Sequence, residues 1–484
     1  MESICILGAG LYGSYLANAL AEKFTNTQIL MIDVGNATPK SEEQAGFLSI
    51  MKQGTYTSIK KGRFFGLGGS SARWAGQLLF FSEHDCINDE RIHEIRKANI
   101  EYKDHVLKRF FKTVPSLYNY EIENGLFYKQ GIWLKYSQRN FFKFFKIKSN
   151  KNVKVIKDSR IIKLNLTDNQ ISSVTIKTKN TCQTIEADRF YLTCGAFESM
   201  RLLGISGIYD LGKTTLGFCD RISMKCFTIQ ETKAQVLNID FSHKLINNSL
   251  LTSRIIGDVG GSSFYMKPIF NNEFAFIRQI KNLISKKNPF SFKQLVKGIK
   301  EIHHIFLFFY YYYFYRRLYI YKGWDVFIDI EIDKNSNKVM LSKETDHFGE
   351  PGLNVFFKIP VSTVDKLKQA KNIIKEILIK SNLSFKELDN DESISNLRDT
   401  LHPYNLYNSL EATQLKEVYN PVKNLFVYHT GILSRIGGLN PTASLLCLIE
   451  KHVIERVHKI SKSPILYFLM FLLNYGDGSI DFSI

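Results

Sequence analysis

Apolar and small residues set the pattern at the start of the chain. A short apolar run at residues 3–7 leads into a glycine-rich turn, a helical stretch follows to Lys23, and a second apolar run at 29–32 ends at Asp33. Continuous apolar runs of this length are typical of strands buried on both faces, whereas the stretch between them has helical spacing. The pattern therefore predicts a strand–turn–helix–strand unit of a parallel sheet.

Further strand-like segments lie in the middle of the chain. Residues 153–156 form one, and residues 160–165 and 173–178 are predicted to pair as a hairpin whose turn lies at 168–169. The stretch before them, residues 90–150, is basic and aromatic and is predicted to be helical or irregular.

A second strand–glycine–helix corner follows the hairpin. The apolar run 190–194 leads directly into Gly195 and Ala196, after which residues 197–203 have helical spacing. Such a corner is expected where a later segment completes the parallel sheet that the N-terminal unit begins.

The pattern changes again between residues 222 and 394. Strand-like pieces surround a long insert there, and we expect them to form one antiparallel sheet; they are residues 222–229, 325–332, 338–341 and 354–359. Beyond residue 395 the chain returns to glycine-rich stretches and ends its periodic part in a helix at 442–457.

These changes predict two domains that are discontinuous in sequence, as a length of 484 residues also favours. The first, an α/β domain with a parallel sheet, comprises residues 1–90, 150–221 and 395–465. The second comprises residues 91–149 and 222–394. The fold class is thus α/β (α+β), with a doubly wound domain and an antiparallel one.

The N-terminal turn has the chemistry of a dinucleotide site. Gly8 allows the tight turn, Gly10 lets the backbone approach a pyrophosphate, and Gly13 lets the helix pack against the sheet. Asp33 stands where a carboxylate can accept hydrogen bonds from a ribose. The alternative is a glycine-rich turn of an unrelated α/β fold.

Charge and cysteine content exclude several classes of protein. The formal charge is +18, yet no zinc-finger spacing, RNA-binding signature or long basic block accompanies it, so we expect no nucleic-acid partner. The seven cysteines include no C-x-x-C pair and suit reduced core residues of a cytosolic protein. No basic region precedes the first strand, and we expect no signal peptide.

A second run of small residues lies at 64–76. Its sequence, FFGLGGSSARWAG, mixes glycine and serine with Phe64, Phe65, Leu67 and Trp74. So many small residues imply a backbone that lies close against a partner, and the aromatic side chains argue against a solvated linker.

Together these motifs resemble the flavin-dependent glucose–methanol–choline (GMC) oxidoreductases, especially bacterial members thought to act on sugars. The stretches that carry the resemblance, in the order of the family, are residues 8–13 with Asp33, 66–76, 191–203, 339–353 and 424–442. The resemblance implies a Rossmann-like FAD-binding domain, formed by the first set of segments above, and an antiparallel substrate-binding domain, formed by the second.

It also implies FAD as the cofactor and assigns its site. Relatives that bind the flavin covalently do so through a histidine at the position of Arg73, so we expect non-covalent FAD here. The helix that begins at Thr442 would point at the pyrimidine end of the isoalloxazine. The residues expected to bind the cofactor are Gly8, Gly10, Leu11, Tyr12, Gly13, Asp33, Gly68, Gly69, Ser70, Ser71, Trp74, Val155, Cys194, Gly195, Ala196, His429, Thr430, Pro441 and Thr442.

By position, the resemblance further assigns the catalytic pair. His402 matches the histidine that takes the hydroxyl proton while flavin N5 takes the hydride, and Asn440 matches the partner that holds the substrate hydroxyl. Residues 403–408 depart from the pattern of the family, which puts the conformation of that loop in question. His429 is interpreted as a cofactor contact, with a catalytic role as the alternative. No cluster has the spacing of metal ligands.

The insert at residues 280–322 is the other unusual feature. Lysines precede an aromatic run at 305–315, which Arg316 and Arg317 close. The run is too short to span a bilayer as a helix, but aromatic rings beside basic side chains suit a membrane interface. We therefore consider two alternatives for the insert. Either it contacts an anionic membrane surface or a lipid-linked sugar, or it is a buried or oligomer-forming helix.

The prediction is an FAD enzyme on the cytoplasmic side, membrane-associated if the insert binds lipid. It would oxidise a CH–OH group of a sugar or sugar derivative to a carbonyl, in surface-polysaccharide biosynthesis if the sugar-type resemblance holds. The electron acceptor stays open between oxygen, a quinone and a protein. The alternatives are an FAD-binding protein without alcohol oxidation and a flavoprotein of the carotenoid or disulfide type.

Overall fold

The computed structural model describes residues 2–178, 181–210, 216–270, 302–332, 337–388, 407–408 and 415–461. Within these ranges the helices are α1 Leu11–Lys23, α2 Thr57–Lys61, α3 Glu90–Lys108, α4 Phe141–Phe144, α5 Ala196–Ile205, α6 Ile302–Tyr310, α7 Val361–Lys380, α8 Leu415–Tyr419 and α9 Thr442–Ser461. The strands are β1 Ser3–Leu7, β2 Gln28–Ile32, β3 Ser49–Gln53, β4 Gln77–Leu78, β5 Asn119–Glu123, β6 Leu126–Trp133, β7 Val153–Ile156, β8 Arg160–Thr167, β9 Gln170–Lys177, β10 Cys182–Glu186, β11 Arg189–Leu192, β12 Leu216–Cys219, β13 Arg221–Ile229, β14 Gln235–Val236, β15 Ile239–Asp240, β16 Lys244–Ile246, β17 Ser249–Val259, β18 Ser262–Phe270, β19 Trp324–Glu331, β20 Lys338–Thr345, β21 Pro351–Phe356, β22 Phe385–Glu387, β23 Tyr407–Asn408 and β24 Leu425–Val427.

A parallel sheet in the order β24-β11-β1-β2-β7 forms the first layer. β1 lies at its centre, where Ile6 pairs with Tyr191 on one side and Met31 on the other. Its strands are apolar on both faces because helices cover them, as parallel sheets require. α1 connects β1 to β2, and α9 packs on α1 and α3. The predicted strand–turn–helix–strand unit is present.

An antiparallel sheet forms the second layer. Its main order is β22-β13-β19-β18-β17-β6-β4, with β16 paired to β17 and β5 paired to β6. The expectation that residues 90–150 hold no strand was wrong, since β5 and β6 lie there. Buried Lys129 and Gln130 interrupt the apolar pattern of β6; Lys129 is satisfied by an ion pair with Asp85, which no local pattern reveals.

The four strand-like pieces of residues 222–394 do not share one sheet, and that expectation was also wrong. β13 and β19 pair in the antiparallel layer, whereas β20 and β21 belong to a mixed sheet in the order β23-β12-β20-β21-β3. β21 pairs in parallel with β3, about 300 residues earlier in the chain. Strand pattern carries no information about such distant partners.

The predicted hairpin is formed by β8 and β9, with β10 as a third strand. Its turn residues, Asp168 and Asn169, have φ values of 50° and 56°. Two successive residues with positive φ are the geometry of tight hairpin turns, and aspartate and asparagine tolerate it better than most residues. The prediction for residues 160–178 is therefore confirmed.

The described part of the insert begins at residue 302. α6 continues into a π-helical turn at Tyr311–Tyr315, and none of the side chains in either element is buried. The most exposed are Phe306, Tyr313 and Phe314, at 69%, 62% and 76%. Among the described residues, no helix has both the length and the apolar content that a membrane span needs. The lysines at 281–300 lie outside the described residues.

Candidate cofactor and active site

A cavity of about 1150 Å³ lies between the parallel sheet and the antiparallel sheet. On one side it is lined by residues that directly follow parallel strands: Gly8 after β1, Asp33 after β2 and Thr193 after β11. On the other side β17 and β18 contribute side chains such as Arg254 and Tyr265. Ligands of open α/β sheets bind at this carboxyl edge. The cavity exceeds the usual ~300–1,000 Å³ of drug-sized ligand pockets, so it has room for a long ligand and a second molecule.

The three glycines of the first turn differ in what surrounds them. At Gly8, φ is +107° and a Cβ would lie 2.8 Å from the carbonyl carbon of Thr193; at Gly13 it would lie 2.0 Å from the Gly8 oxygen. At Gly10 the nearest heavy atom would be 3.8 Å away, and Gly10 lines the cavity. Gly8 and Gly13 thus permit the turn itself, and Gly10 keeps the cavity wall free of a side chain.

Two helix N-termini without side-chain caps face this space. α1 starts after Gly10 and α5 starts after Gly195. Because both N-cap residues are glycine, neither has a side chain that could cap the helix. A Cβ at Gly195 would meet no protein atom within 4 Å. The first N–H groups of a helix have no partner inside the helix, and together with the helix dipole they bind anions such as phosphates. α9 begins at Thr442, which also lines the cavity.

Asp33 joins the first turn to β2. Its carboxylate accepts hydrogen bonds from the backbone N–H groups of Ala9 and Gly35, both at 2.8 Å. Burial raises the pKa of Asp33, while these two hydrogen bonds oppose that effect. Each carboxylate oxygen keeps a second lone pair, so Asp33 can hold the turn and still accept from a ligand hydroxyl.

The second glycine run packs against the first turn. A Cβ on Gly69 would lie 2.9 Å from the Cα of Gly10, and the Gly68 N–H donates to the Ala9 carbonyl at 2.8 Å. Both glycines have positive φ, +93° and +49° for Gly68 and Gly69. The two glycine-rich segments, 58 residues apart in sequence, therefore form one continuous backbone surface.

The structure brings most of the predicted cofactor residues to this cavity. Those that line it are Gly8, Gly10, Leu11, Tyr12, Asp33, Gly69, Ser70, Trp74, Cys194, Gly195, Ala196, His429, Thr430 and Thr442. Those outside its lining are Gly13, Gly68, Ser71, Val155 and Pro441. Val155 pairs with Met31 inside the sheet, and Ser71 accepts a hydrogen bond from the Phe141 N–H, so both support the wall from behind.

Of the predicted catalytic pair, Asn440 lines the cavity and His402 lies outside the described residues. The Asn440 Oδ1 accepts a hydrogen bond from Arg221 at 2.7 Å, and its Nδ2 donates to Gln77 Oε1 at 3.3 Å. Because a guanidinium can only donate, Arg221 fixes which end of the amide is the oxygen. One amide hydrogen and one lone pair of Asn440 stay available to a substrate.

His429 lies two residues beyond the end of β24 and is almost completely buried. Its Nδ1 accepts from the Gly431 N–H at 2.9 Å, so the ring hydrogen is on Nε2, for which the described part of the chain offers no partner. Burial lowers the pKa of His429 to about 3. A neutral ring that presents an N–H suits a hydrogen-bond donor to a bound ligand better than a general base.

Several cavity residues were not predicted from the sequence. His243, with a pKa that burial lowers to about 4, lines the cavity together with Trp133, Arg254, Tyr265 and Lys267. All except His243 belong to strands of the antiparallel sheet. A charged residue inside a segment of apolar and small residues, such as Arg254 within residues 250–256, could have indicated these cavity residues from the sequence.

Within the described ranges, no group of three or more His, Cys, Asp or Glu side chains is arranged to hold a metal ion. The cavity is instead built from backbone N–H groups, small residues, amides and cations. That donor set fits a large anionic organic ligand with phosphate groups.

Solved structures with a similar fold include two kinds of oxidase. Pyridoxine 4-oxidase from Mesorbium loti has a TM-score of 0.51 and 12% identity, over 95% of this chain and 99% of that chain. A formate oxidase from Aspergillus oryzae RIB40, studied for its FAD modification, has a TM-score of 0.51 and 13% identity over 95% and 98%. Another formate oxidase structure has a TM-score of 0.50 and 14% identity over 95% and 98%.

At these identities the likeness is one of fold. No family model matches the chain, and no curated protein matches it either. The predicted fold class is confirmed, because the combination of a parallel sheet with antiparallel sheets is that of GMC oxidoreductase structures. The resemblance noted from the sequence is thereby confirmed at the level of the fold.

Proposed function

We propose that the protein is an FAD-dependent oxidoreductase of the GMC type that oxidises a CH–OH group of a sugar or sugar derivative to a carbonyl. One observation carries the proposal: a single cavity is walled by two glycine corners and two uncapped helix N-termini on one side and by an antiparallel sheet on the other. The fold shared with flavin-dependent oxidases supports it, as does the room for a second molecule beside a dinucleotide.

FAD would lie with its diphosphate at the start of α1, beside Gly10, where free N–H groups and the helix dipole favour phosphate. Asp33 would accept from the ribose, and the Nε2–H of His429 would donate to the cofactor. When bound, FAD supplies the electron acceptor for the hydride that leaves the substrate carbon. Arg73 stands where covalent relatives have a histidine, which supports non-covalent binding.

The chain itself must hold and deprotonate the substrate hydroxyl. We assign the holding role to Asn440, whose amide is oriented by Arg221 and Gln77, and the role of base to His402. An amide keeps its protons near neutral pH and so cannot compete for the hydroxyl proton, whereas a histidine suits the transfer. We likewise propose that the first set of segments forms an FAD-binding domain and the second a substrate-binding domain.

An anaerobic bleaching experiment tests the activity. The FAD-loaded protein is mixed with sugars and polyols without oxygen, and loss of flavin absorbance is followed. We expect bleaching by at least one sugar derivative, and a fall of about 100-fold or more in its rate for His402→Ala with FAD retained. Retained FAD without bleaching by any alcohol would favour the alternative, an FAD-binding protein without alcohol oxidation.

We further propose that α6 and the turn after it touch an anionic membrane on the cytoplasmic face, where a lipid-linked sugar would be a fitting substrate. The supporting observation is a row of exposed rings beside Arg316 and Arg317, with Phe306 and Phe314 more than two-thirds exposed. Aromatic rings next to basic side chains are typical of interfacial helices.

Vesicle flotation tests this contact. Wild-type protein is expected to float with vesicles containing phosphatidylserine at low salt and to float less at high salt. Replacing Phe306 and Phe314 by serine should reduce flotation. Tyr136→Ser, which removes a still more exposed ring (86% exposed) elsewhere on the surface, should leave it unchanged. Equal flotation of all three proteins, or none at low salt, would remove the membrane from the proposal.

A further inference from the structure

The antiparallel sheet brings two cations to the cavity wall. Arg254 on β17 and Lys267 on β18 both line the cavity, and Tyr265 lies between them. The Arg254 guanidinium carbon is 4.2 Å from the centre of the Tyr265 ring, and the Lys267 Nζ is 5.4 Å from it. Arg254 is only 6% exposed. A positive charge this deep needs a partner to offset the loss of hydration.

One carboxylate lies among these groups, and it is already shared. Asp329 is fully buried and accepts from the Lys267 Nζ at 2.7 Å, from Ser223 Oγ and from the Tyr265 hydroxyl. The guanidinium carbon of Arg221 lies 5.1 Å from the centre of the same Tyr265 ring, so three cations and one carboxylate leave an excess of positive charge here. Because a carboxylate with three such donors is largely satisfied, the excess falls on Arg254.

Arg254 has polar partners for only part of its guanidinium. Its Nη2 donates to Gln77 Oε1, while its Nη1 is buried and has no hydrogen-bond partner within the part of the chain that the structure describes. Among the residues that the structure describes, no carboxylate forms an ion pair with Arg254, and Asp329 attracts it only at longer range. Burial lowers the pKa of Arg254. Water or a ligand must complete such a donor, and because Arg254 lines the cavity, a ligand bound there can reach it.

Gln77 places this guanidinium close to the proposed site of chemistry. The same Oε1 atom that accepts from Arg254 also accepts from the Asn440 amide at 3.3 Å. Gln77 is itself held by its Nε2, which donates to Thr252 Oγ1 at 2.6 Å. Arg254 and Asn440, whose amide is proposed to hold the substrate hydroxyl, therefore donate to the same oxygen atom of Gln77.

We propose that Arg254, supported by Lys267, binds an anionic group of the substrate, a carboxylate or a phosphate. This rests on the proposed function and deepens it: the substrate is an acidic sugar derivative, such as a sugar acid or sugar phosphate, and not a neutral sugar. A guanidinium can bind either anion through two parallel hydrogen bonds, and this orients the substrate as well as attracting it.

The first test measures binding without turnover. The FAD-loaded protein is titrated with sodium acetate and, separately, with inorganic phosphate at constant ionic strength, and the flavin absorbance spectrum is recorded. We expect a saturable spectral change with at least one of the two anions, weakened about 10- to 100-fold in Arg254→Gln, as the loss of a charge-assisted hydrogen bond implies. Arg189→Gln removes a charge at the far end of β11 and should behave as wild type.

The second test compares substrates. Glucose, glucuronate and glucose 6-phosphate differ in the presence and kind of the anionic group, and each is assayed by anaerobic bleaching. We expect one of the two anionic sugars to exceed glucose at least 10-fold in kred/Kd, the rate constant of flavin reduction divided by the dissociation constant of the sugar, and we expect Arg254→Gln to abolish that preference. Which anionic sugar is preferred distinguishes a carboxylate from a phosphate site.

Several outcomes would overturn the proposal. They are an equal or greater kred/Kd for glucose, a preference that survives in Arg254→Gln, and an equal fall in kred/Kd for all three sugars together with a changed FAD affinity or reduction potential. The last would mean that the guanidinium serves the flavin. If no sugar bleaches the flavin, the activity fails, while the anion titration still decides the binding site. Should Arg254→Gln not fold, Arg254→Lys can replace it. That variant keeps the charge but loses the two parallel N–H donors of the guanidinium, and it should show a partial loss of anion affinity.

Discussion

Gly10 and Gly13 lie one helical turn apart, yet the structure gives them different tasks. A side chain at Gly13 would collide with the Gly8 carbonyl oxygen, whereas at Gly10 the protein leaves room, and the backbone there is extended with φ −73°. The cavity side of Gly10 is where the pyrophosphate is proposed to lie. Folding and cofactor binding can therefore be separated within one motif.

Gly13→Ala is expected to destabilise the protein by about 1–3 kcal/mol, as overpacking does, since its Cβ would lie 2.0 Å from a backbone atom. Gly10→Ala should leave the stability of the apoprotein within about 0.5 kcal/mol and weaken FAD binding at least 10-fold. Urea unfolding of the apoproteins and FAD titration check both. Equal effects of the two substitutions on both quantities would contradict these assignments.

His429 gives the apoprotein a particular dependence on pH. Its pKa is lowered to about 3 in the folded state from an ordinary value of 6.5, so the folded state binds fewer protons than the unfolded chain below pH 6.5. The stability that this residue supports is complete above pH 6.5 and is lost as the pH falls toward 3. Between pH 7 and pH 5 the loss amounts to about 2 kcal/mol.

Replacement of His429 by asparagine keeps an acceptor for the Gly431 N–H but removes the titrating group. We expect the variant to lose less stability than wild type between pH 7 and pH 5, by about 2 kcal/mol in urea unfolding of the apoproteins. FAD affinity should fall as well, since the Nε2–H donor is lost. If the two proteins lose the same stability, His429 is not held neutral by burial.

Individual residues also show where prediction from sequence ends. Gly8, Gly10 and Asp33 could be predicted because a turn, a helix and a strand fix their relative positions within a short segment. The position of Arg254 could not, because the identity of a strand residue does not say which face of the sheet lines the cavity. Asp33 illustrates an intermediate case: its position was predicted, but its bonds to Ala9 and Gly35 were not.

At the scale of elements, Asp220 marks the joint between two sheets. It stands between β12 of the mixed sheet and β13 of the antiparallel sheet, and it accepts a hydrogen bond from Tyr56 at 2.5 Å. Burial raises the pKa of Asp220 to about 8. The folded state therefore keeps a proton that the unfolded chain releases near pH 3.8, and this residue makes the protein less stable as the pH rises from 4 to 8.

Asp220→Asn keeps the shape of the joint and removes the ionisation. We expect the variant to be more stable than wild type at pH 8, by at least about 1 kcal/mol, and to show a smaller difference at pH 5. Thermal or urea unfolding at the two pH values measures this. If the stability of the variant relative to wild type is instead lower at pH 8 than at pH 5, Asp220 is ionised in the folded protein.

Elements with local partners were predicted more accurately than those with distant ones. The β8–β9 hairpin is joined by a short turn, and its pairing follows from the turn residues. β20 and β21 were assigned to the wrong sheet because β21 pairs with β3, and β6 was missed because its buried Lys129 is compensated by Asp85 on another segment. Both errors concern partners that lie far away in sequence.

At the scale of the whole molecule, most of the buried apolar residues of the parallel and antiparallel layers belong to one contiguous cluster. The cavity opens between layers that share a core, so its two walls are held at a fixed distance and a ligand that spans them adds contacts to both. FAD should accordingly stabilise the folded chain by mass action, by about 2.7 kcal/mol at a concentration of 100 times Kd. Thermal unfolding with increasing FAD measures this, and a Tm that does not respond would contradict binding at this position.

The proposed function depends first on whether the protein binds FAD. The purified full chain, or its apoprotein titrated with FAD, is examined by absorbance, and the flavin is then released by acid precipitation. FAD binding at the cavity predicts one FAD per chain, a flavin absorption spectrum altered by the protein, and all yellow colour in the supernatant after precipitation. A protein that carries no flavin and takes up none when FAD is added would contradict it.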